Sequence, residues 1–426
     1  MWTLAWRNIW RKKWRSALTA VAIALVVLLT LVYFGLVGSS QNGAYQNITQ
    51  NSGHMQVHVA GYRDIRDFDD LLMDDADQLE ASLLEAIAAS SDVDAERDSE
   101  LITNPQVSTV LEVPGLLEGD GRSRGVILRG IDQPDTVRQR YAAENLTAGT
   151  LPEVGDIESI ALGDKLATAL DVDIGDTVYM YAPGTEGYGA AAFTVTGILN
   201  MAGAEGVAIS SLLAAKDVGA PGDASRFEIY FPNMRRYNDD VILPQLKTAI
   251  VDNLATAITV DNYQIETWRE VNSSIAGYLD SFEGITWVYT AIFFVLAGLL
   301  VMNTVYLSVM ERIKEFGVMM ALGLKGRKLL RMVVSESLFI CGVGAIVGGV
   351  VGSLVLWRMA QGFTFPGMEE LFTEFGLPSV LYASITIEQI ITAMLFTIVT
   401  GILAALFPAF TAARLEPVEA MRFTAA

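Results

Sequence analysis

Ile285-Thr-Trp-Val-Tyr-Thr-Ala-Ile-Phe-Phe-Val-Leu-Ala-Gly-Leu-Leu-Val-Met-Asn-Thr-Val-Tyr-Leu-Ser-Val-Met310 decides the fold class, because no residue in it is charged. A bilayer's hydrocarbon core asks for about 20 apolar residues per helix. In lipid only a helix satisfies all its backbone groups within one segment. Three more windows of the same kind lie to either side: Ala17–Val37, Met332–Trp357 with Glu336 as its one charge, and Gln389–Ala413. These predict spans over 17–38, 285–310, 332–357 and 386–409. The first is longer than a signal-peptide core, and no small-residue cleavage site follows it, so it is expected to stay as an anchor. The expected fold is an α-helical membrane protein with four transmembrane helices. A large mixed α/β extracytoplasmic domain, residues 39–284, separates the first from the second.

Charge sets the topology. Arg7, Arg11, Lys12, Lys13 and Arg15 precede the first span, and Arg312, Lys314, Lys325, Arg327, Lys328 and Arg331 lie between the second and third. Arg414 and Arg422 follow the fourth, whereas the 358–385 connection holds only Arg358. Basic residues stay on the cytoplasmic side, so both termini and the 311–331 loop are expected inside. The 39–284 segment then lies outside, with 40 acidic and 15 basic residues, although the whole chain has a net charge of only −20. Such an exterior excludes nucleic acid as a partner, since phosphate binding needs clustered Lys and Arg. The bacterial inner membrane is the expected location.

Within 39–284, Met55–Val59, Gly125–Ile131, Asp176–Tyr181, Ala192–Leu199 and Arg226–Phe231 read as strands. Asp77–Ser90, Leu243–Leu254 and Trp268–Phe282 read as helices. The last is expected to run into the second span as a rigid stalk. His54 and His58 are too few for a zinc site. The acidic Asp64–Asp77 run lacks the calcium-loop glycine and reads as a solvated face. The lone Cys341 excludes an internal disulfide. With no phosphate-binding loop and no credible nucleophile set, no catalytic residue, metal or cofactor is assigned to this chain.

Three shorter pieces carry the functional reading. Trp2, Trp6, Trp10 and Trp14 recur every fourth residue among basic side chains, which predicts an amphipathic helix over 1–16 on the inner membrane surface in contact with lipid. Glu311-Arg-Ile-Lys-Glu-Phe-Gly-Val-Met-Met-Ala-Leu-Gly323 predicts a short helix, charged on one face and with Ile313, Phe316 and Met320 as an apolar stripe on another. Its reading as a partner's grip or as a membrane-surface helix stays open on composition. Gly344, Gly348 and Gly352 form a small-xxx-small row that permits close helix packing. Glu336, near the inner end of its span, either snorkels to the interface or pairs within the bundle.

These residues resemble the MacB, LolC/LolE and FtsX superfamily of ABC permeases. The resemblance is carried by the 311–323 run, by Pro408-Ala-x-x-Ala-Ala-Arg-Leu-x-Pro-x-Glu-Ala-Met-Arg422, by Ser52-Gly-His-x-Gln-Val-x-Val-x-x-Gly-Tyr62, and by Ala161-Leu-Gly with Phe193-Thr-Val-Thr-Gly-Ile198. It implies two permease chains, identical or paralogous, working with two copies of a cytoplasmic ATPase that binds ATP and Mg. The 311–331 segment would hold the coupling helix, with Glu311, Arg312, Lys314, Glu315 and Phe316 as contacts and Gly317, Ala321 and Gly323 completing the motif. Pro408, Arg414, Pro417, Glu419 and Arg422 would be the closing signature of the 410–426 tail and the span before it. Mechanical transmission to the outer domain would move cargo from the outer leaflet. The large outer segment points away from FtsX-type signalling to a hydrolase. MacB-type chains carry a fused ATPase ahead of the first span, and this sequence starts almost at it. Lipoprotein release therefore fits best, with peptide or drug efflux as the alternative. A periplasmic carrier or adaptor would be a further partner, although no proline-tipped hook for a carrier is found.

Overall fold

A computed structural model of the chain describes residues 13–65, 67–73, 76–90, 104–132, 135–184, 187–200, 206–218, 224–234, 236–255, 262–364, 367, 382–383 and 386–414. Most of the expected 1–16 helix, with Trp2, Trp6 and Trp10, lies outside them, as do Pro417, Glu419, Arg422 and much of 358–385. The elements run α1 (Lys13–Ser52), β1 (Met55–Val59), α2 (Ala76–Ala89), β2 (Gln106–Gly119), β3 (Arg122–Asp132), α3 (Asp135–Asn145) and β4 (Leu146–Gly149). Next come β5 (Ser159–Gly163), α4 (Asp164–Leu170), β6 (Thr177–Gly184), β7 (Gly187–Leu199), β8 (Val207–Ser211), α5 (Leu212–Val218), β9 (Arg226–Tyr230) and α6 (Arg236–Leu254). The chain closes with β10 (Tyr263–Thr267), α7 (Trp268–Val271), α8 (Ser273–Glu311), α9 (Ile313–Ala321), α10 (Gly326–Met359) and α11 (Ile387–Ala413). Two units separate after Gln41 and after Gly277.

In the helical unit, four helices among the described residues are long and apolar enough to cross a membrane. Their patterning inverts that of a soluble bundle. On α11 the buried positions are Ala393, Thr397, Gly401, Ala405, Pro408, Ala409 and Ala412, whereas Ile391, Leu395, Leu403 and Phe407 are exposed. Small residues inside and large apolar ones outside suit a helix surrounded by lipid, where close packing replaces hydrophobic exclusion. The glycine row of α10 meets α1. A Cβ on Gly344 would lie 2.8 Å from the Ala20 carbonyl oxygen, one on Gly348 2.5 Å from that of Ala24, and one on Gly352 2.8 Å from Leu31 Cδ1. These contacts leave no room for a side chain.

The strand-rich unit is built on one ten-stranded sheet ordered β10-β1-β9-β2-β3-β8-β5-β7-β4, with β6 pairing to β2 and β7. Its longest hairpin joins β2 and β3, with Gly119 opposite Arg122. Asp120 and Gly121 close it at φ +46° and +72°, the paired left-handed residues of a two-residue turn whose twist matches the strands. Leu111, Val113, Leu128, Ile160, Val178, Met180 and Phe193 fill the core with Leu166 and Leu170 of α4. No alternating pattern marks the strand at 106–119, because Pro114 and Gly115 interrupt it; beside β3 and β6 they are nonetheless accommodated. The expected stalk runs into the second span from Ser273 as the single helix α8, and only its start is corrected. A capping box of Thr267 and Glu270 starts α7, and the helix breaks at Asn272 (φ −108°, ψ 49°) before α8 begins.

Candidate functional site

The segment between α8 and α10 owes its shape to two interruptions. Arg312, at φ −110° and ψ 14°, ends the i→i−4 ladder of α8, and α9 restarts at Ile313. At the other end Leu324 N–H donates to the Met319 carbonyl (3.0 Å) and Gly323 N–H to that of Met320 (2.9 Å). This paired closure needs a left-handed residue, and Gly323 supplies it at φ +93°. The result is a nine-residue helix held between two turns.

The apolar stripe of α9 points inward. Ile313 and Phe316 are 3% and 1% exposed, and Phe316 packs with Val309, Leu329, Val333, Ala409 and Ala412. Phe316 and Gly317 are therefore seated in the bundle, as expected of a side chain worth more buried than displayed. Glu311, Lys314, Glu315, Val318, Ala321, Leu322 and Gly323 are exposed, and Leu322 stands 84% exposed at the tip. Lys325, Arg327, Lys328 and Arg331 are exposed nearby along the chain, as is Arg414 at the end of α11. Pro408 is buried inside α11.

Arg312 is the polar centre of this region. Its Nε–H donates to Glu315 Oε2 (3.2 Å) and its Nη1–H to Glu336 Oε2 on α10 (3.3 Å). Its guanidinium also lies 5.3 Å from the centre of the Phe316 ring. Arg312 and Glu336 side chains are only 14% and 16% exposed. Beside them is a cavity of about 170 Å³, lined by Ser16, Thr304, Ser308, Glu311, Glu315 and Ser337 among others. Glu336 thus pairs within the bundle.

The strand-rich unit holds a second polar assembly that no sequence motif marks. Glu112 receives hydrogen bonds from Arg129 Nη2 (2.8 Å) and Arg226 Nη1 (2.9 Å), and Arg226 Nε–H donates to Glu228 (2.9 Å). Burial alone would push the Glu112 carboxyl up, but the two guanidinium groups overcome it and hold the pKa at about 2. His58 stacks on Tyr62 at 3.9 Å and hydrogen-bonds Gln56 through Nε2 at 2.8 Å. Burial, aided by the charge of Arg226, lowers its pKa to about 3. His54 has separate partners: its Nδ1 accepts from Phe231 N–H (3.1 Å) and its ring packs on Tyr45 and Tyr230. The two histidines therefore do not form one site. Only strand register could reveal the ionic assembly, since it sets Glu112 opposite Arg129 and Arg226 opposite Val110, two residues along β2 from Glu112.

Residues 16–261 match the MacB-like periplasmic core domain, and residues 287–417 match the FtsX-like permease C-terminal domain. The first match alone spans more than half of the chain. The chain belongs to the MacB/LolC/FtsX superfamily of ABC transporter permeases. Among relatives of this permease, the lipoprotein-releasing system transmembrane protein LolC of Xylella fastidiosa strain Temecula1 is 20% identical over 341 residues, covering 76% of this chain and 79% of that protein. The macrolide export ATP-binding/permease protein MacB of Escherichia coli K12 is 33% identical over 127 residues, covering 30% of this chain and 17% of that protein. An uncharacterized ABC transporter permease, YvrN of Bacillus subtilis strain 168, is 31% identical over 124 residues, covering 29% and 26%. From residue 287 of α8 to the end of α11, the stretch that holds the loop helix α9 and its Arg312 centre lies within the FtsX-like segment of this permease.

Proposed function

We propose that this permease is the membrane subunit of a lipoprotein-releasing transporter: it extracts lipoproteins or a related amphiphile from the outer leaflet of the bacterial inner membrane, driven by ATP hydrolysis in a partner subunit. The observation that carries this reading is the LolC relationship, which runs over three quarters of both proteins. The exposed side of α9, with Glu311, Lys314, Glu315 and Leu322, is the surface an ATPase would take. Exposed basic residues at 325, 327, 328, 331 and 414 support a cytoplasmic side for that surface. The 39–284 segment would be periplasmic, and two permease chains would pair around two ATPase copies. Efflux of a peptide or drug is the second reading, favoured by the higher identity, though over a shorter stretch, to the macrolide exporter.

Affinity purification of the full chain from native membranes in mild detergent, with mass spectrometry of what is retained, separates these. An ATPase with acylated lipoproteins supports release. An ATPase with an adaptor and an outer-membrane channel supports efflux, and an ATPase with a cell-wall hydrolase supports signalling. Retention of no ATPase overturns the transporter reading altogether.

A further inference from the structure

We infer that Arg312 and Glu336 form a latch that fixes the loop helix α9 against α10, so that the angle at which α9 meets its partner is set from inside the bundle. Four observations converge. The helix ladder breaks at Arg312, so the backbone there is a joint and not a continuous rod. Arg312 is the residue at the joint that reaches across to α10, at 3.3 Å from Glu336. Both side chains are mostly buried beside a cavity of about 170 Å³, where an ion pair is screened less than at the surface. The same guanidinium also reaches Glu315, one turn along α9, and overlies Phe316, so it ties both ends of the first turn of α9 to the third long helix.

The latch is a positioning device. Its effect on coupling rests on the ATPase reading above, whereas its existence is tested without any partner. A thiol placed at the buried, cavity-lining Ser337 (Ser337→Cys, in a Cys341→Ala background) reports on the closed state. In the purified full chain its labelling by a water-soluble maleimide is expected to be slow. Glu336→Gln, which keeps shape and removes charge, is expected to accelerate labelling by about tenfold, the scale of one hydrogen bond to a charged group. Arg312→Lys, which keeps charge and removes the fork, should do so less. The double variant Arg312→Lys/Glu336→Gln should label no faster than Glu336→Gln alone, because the pair can be broken only once. Unchanged labelling in both single variants, or effects that simply add, would overturn the latch. With the retained ATPase, Glu336→Gln should leave the amount co-purified unchanged and lower the response of hydrolysis to cargo. If the parent chain retains no ATPase while labelling follows the pattern above, the functional reading fails and the latch stands.

Discussion

Acidifying the protein should loosen the strand-rich unit through His58, and the size of the effect follows from its environment. In the folded chain the His58 pKa is about 3, because burial and the Arg226 charge both disfavour the protonated ring. In an unfolded chain the value is about 6.5. Below that pH the unfolded state takes up a proton that the folded state refuses. Stability is therefore greatest above pH 6.5 and falls as pH drops towards the folded value. The slope is about 1.4 kcal/mol per pH unit, which amounts to about 2 kcal/mol at pH 5. For a unit of this size that corresponds to a fall in Tm of about 4–8 °C. Glu112 acts in the same direction but later, since its depressed pKa of about 2 makes its share disappear only below the ordinary carboxylate range. The window between pH 7.5 and 5 thus lies above the carboxylate range, and the His58 variant separates His58 from His54. The assay is thermal unfolding of the full chain in detergent at both pH values, with His58→Gln measured alongside to subtract every other acidic group. The parent should lose about 4–8 °C more than the variant on acidification. Equal losses in the two proteins would refute the neutral, buried His58.

Three other outcomes follow from the helical unit. Gly348→Ala forces a Cβ to within 2.5 Å of the Ala24 carbonyl oxygen and should destabilise the α1–α10 contact by about 1–3 kcal/mol, whereas Gly342→Ala, which meets nothing within 4 Å, should be silent in the same thermal assay. Gly323→Ala puts a side chain at φ +93° and should cost about 1–2 kcal/mol, read as faster proteolytic nicking between residues 318 and 326. Phe316→Ala empties a fully buried position and should cost about 3–5 kcal/mol in the chain without any partner; a variant of parental stability that merely failed to retain an ATPase would instead identify Phe316 as a contact residue.

The ion-pair geometry also explains why the motif around residue 311 reads ambiguously in one dimension. Glu311, Arg312, Lys314 and Glu315 look like one charged face, yet the structure divides them. Lys314 and Glu311 are exposed, while Arg312 turns inward to Glu336, 24 positions later. Phe316 lies in the same heptad and serves the bundle core. A helical repeat shows which residues share a face, but it cannot say which face meets protein, lipid or a partner.

By itself the sequence determined what depends on one segment at a time. Four uncharged or nearly uncharged runs specify helices because in lipid only a helix satisfies its backbone within one segment, and the basic residues beside them set the expected orientation. The glycines of α10 announce a close approach because nothing else has so small a side chain, and Gly323 announces a helix end. Tertiary structure alone decided what depends on two segments meeting. It selected α1 as the partner of the glycine row, set the start of the stalk helix after Asn272, and turned Phe316 inward. It also gathered Glu112, Arg129, Arg226 and Glu228 from three strands into one assembly. Pairing of charges and of helices is set by register and distance, which no local pattern of residues contains.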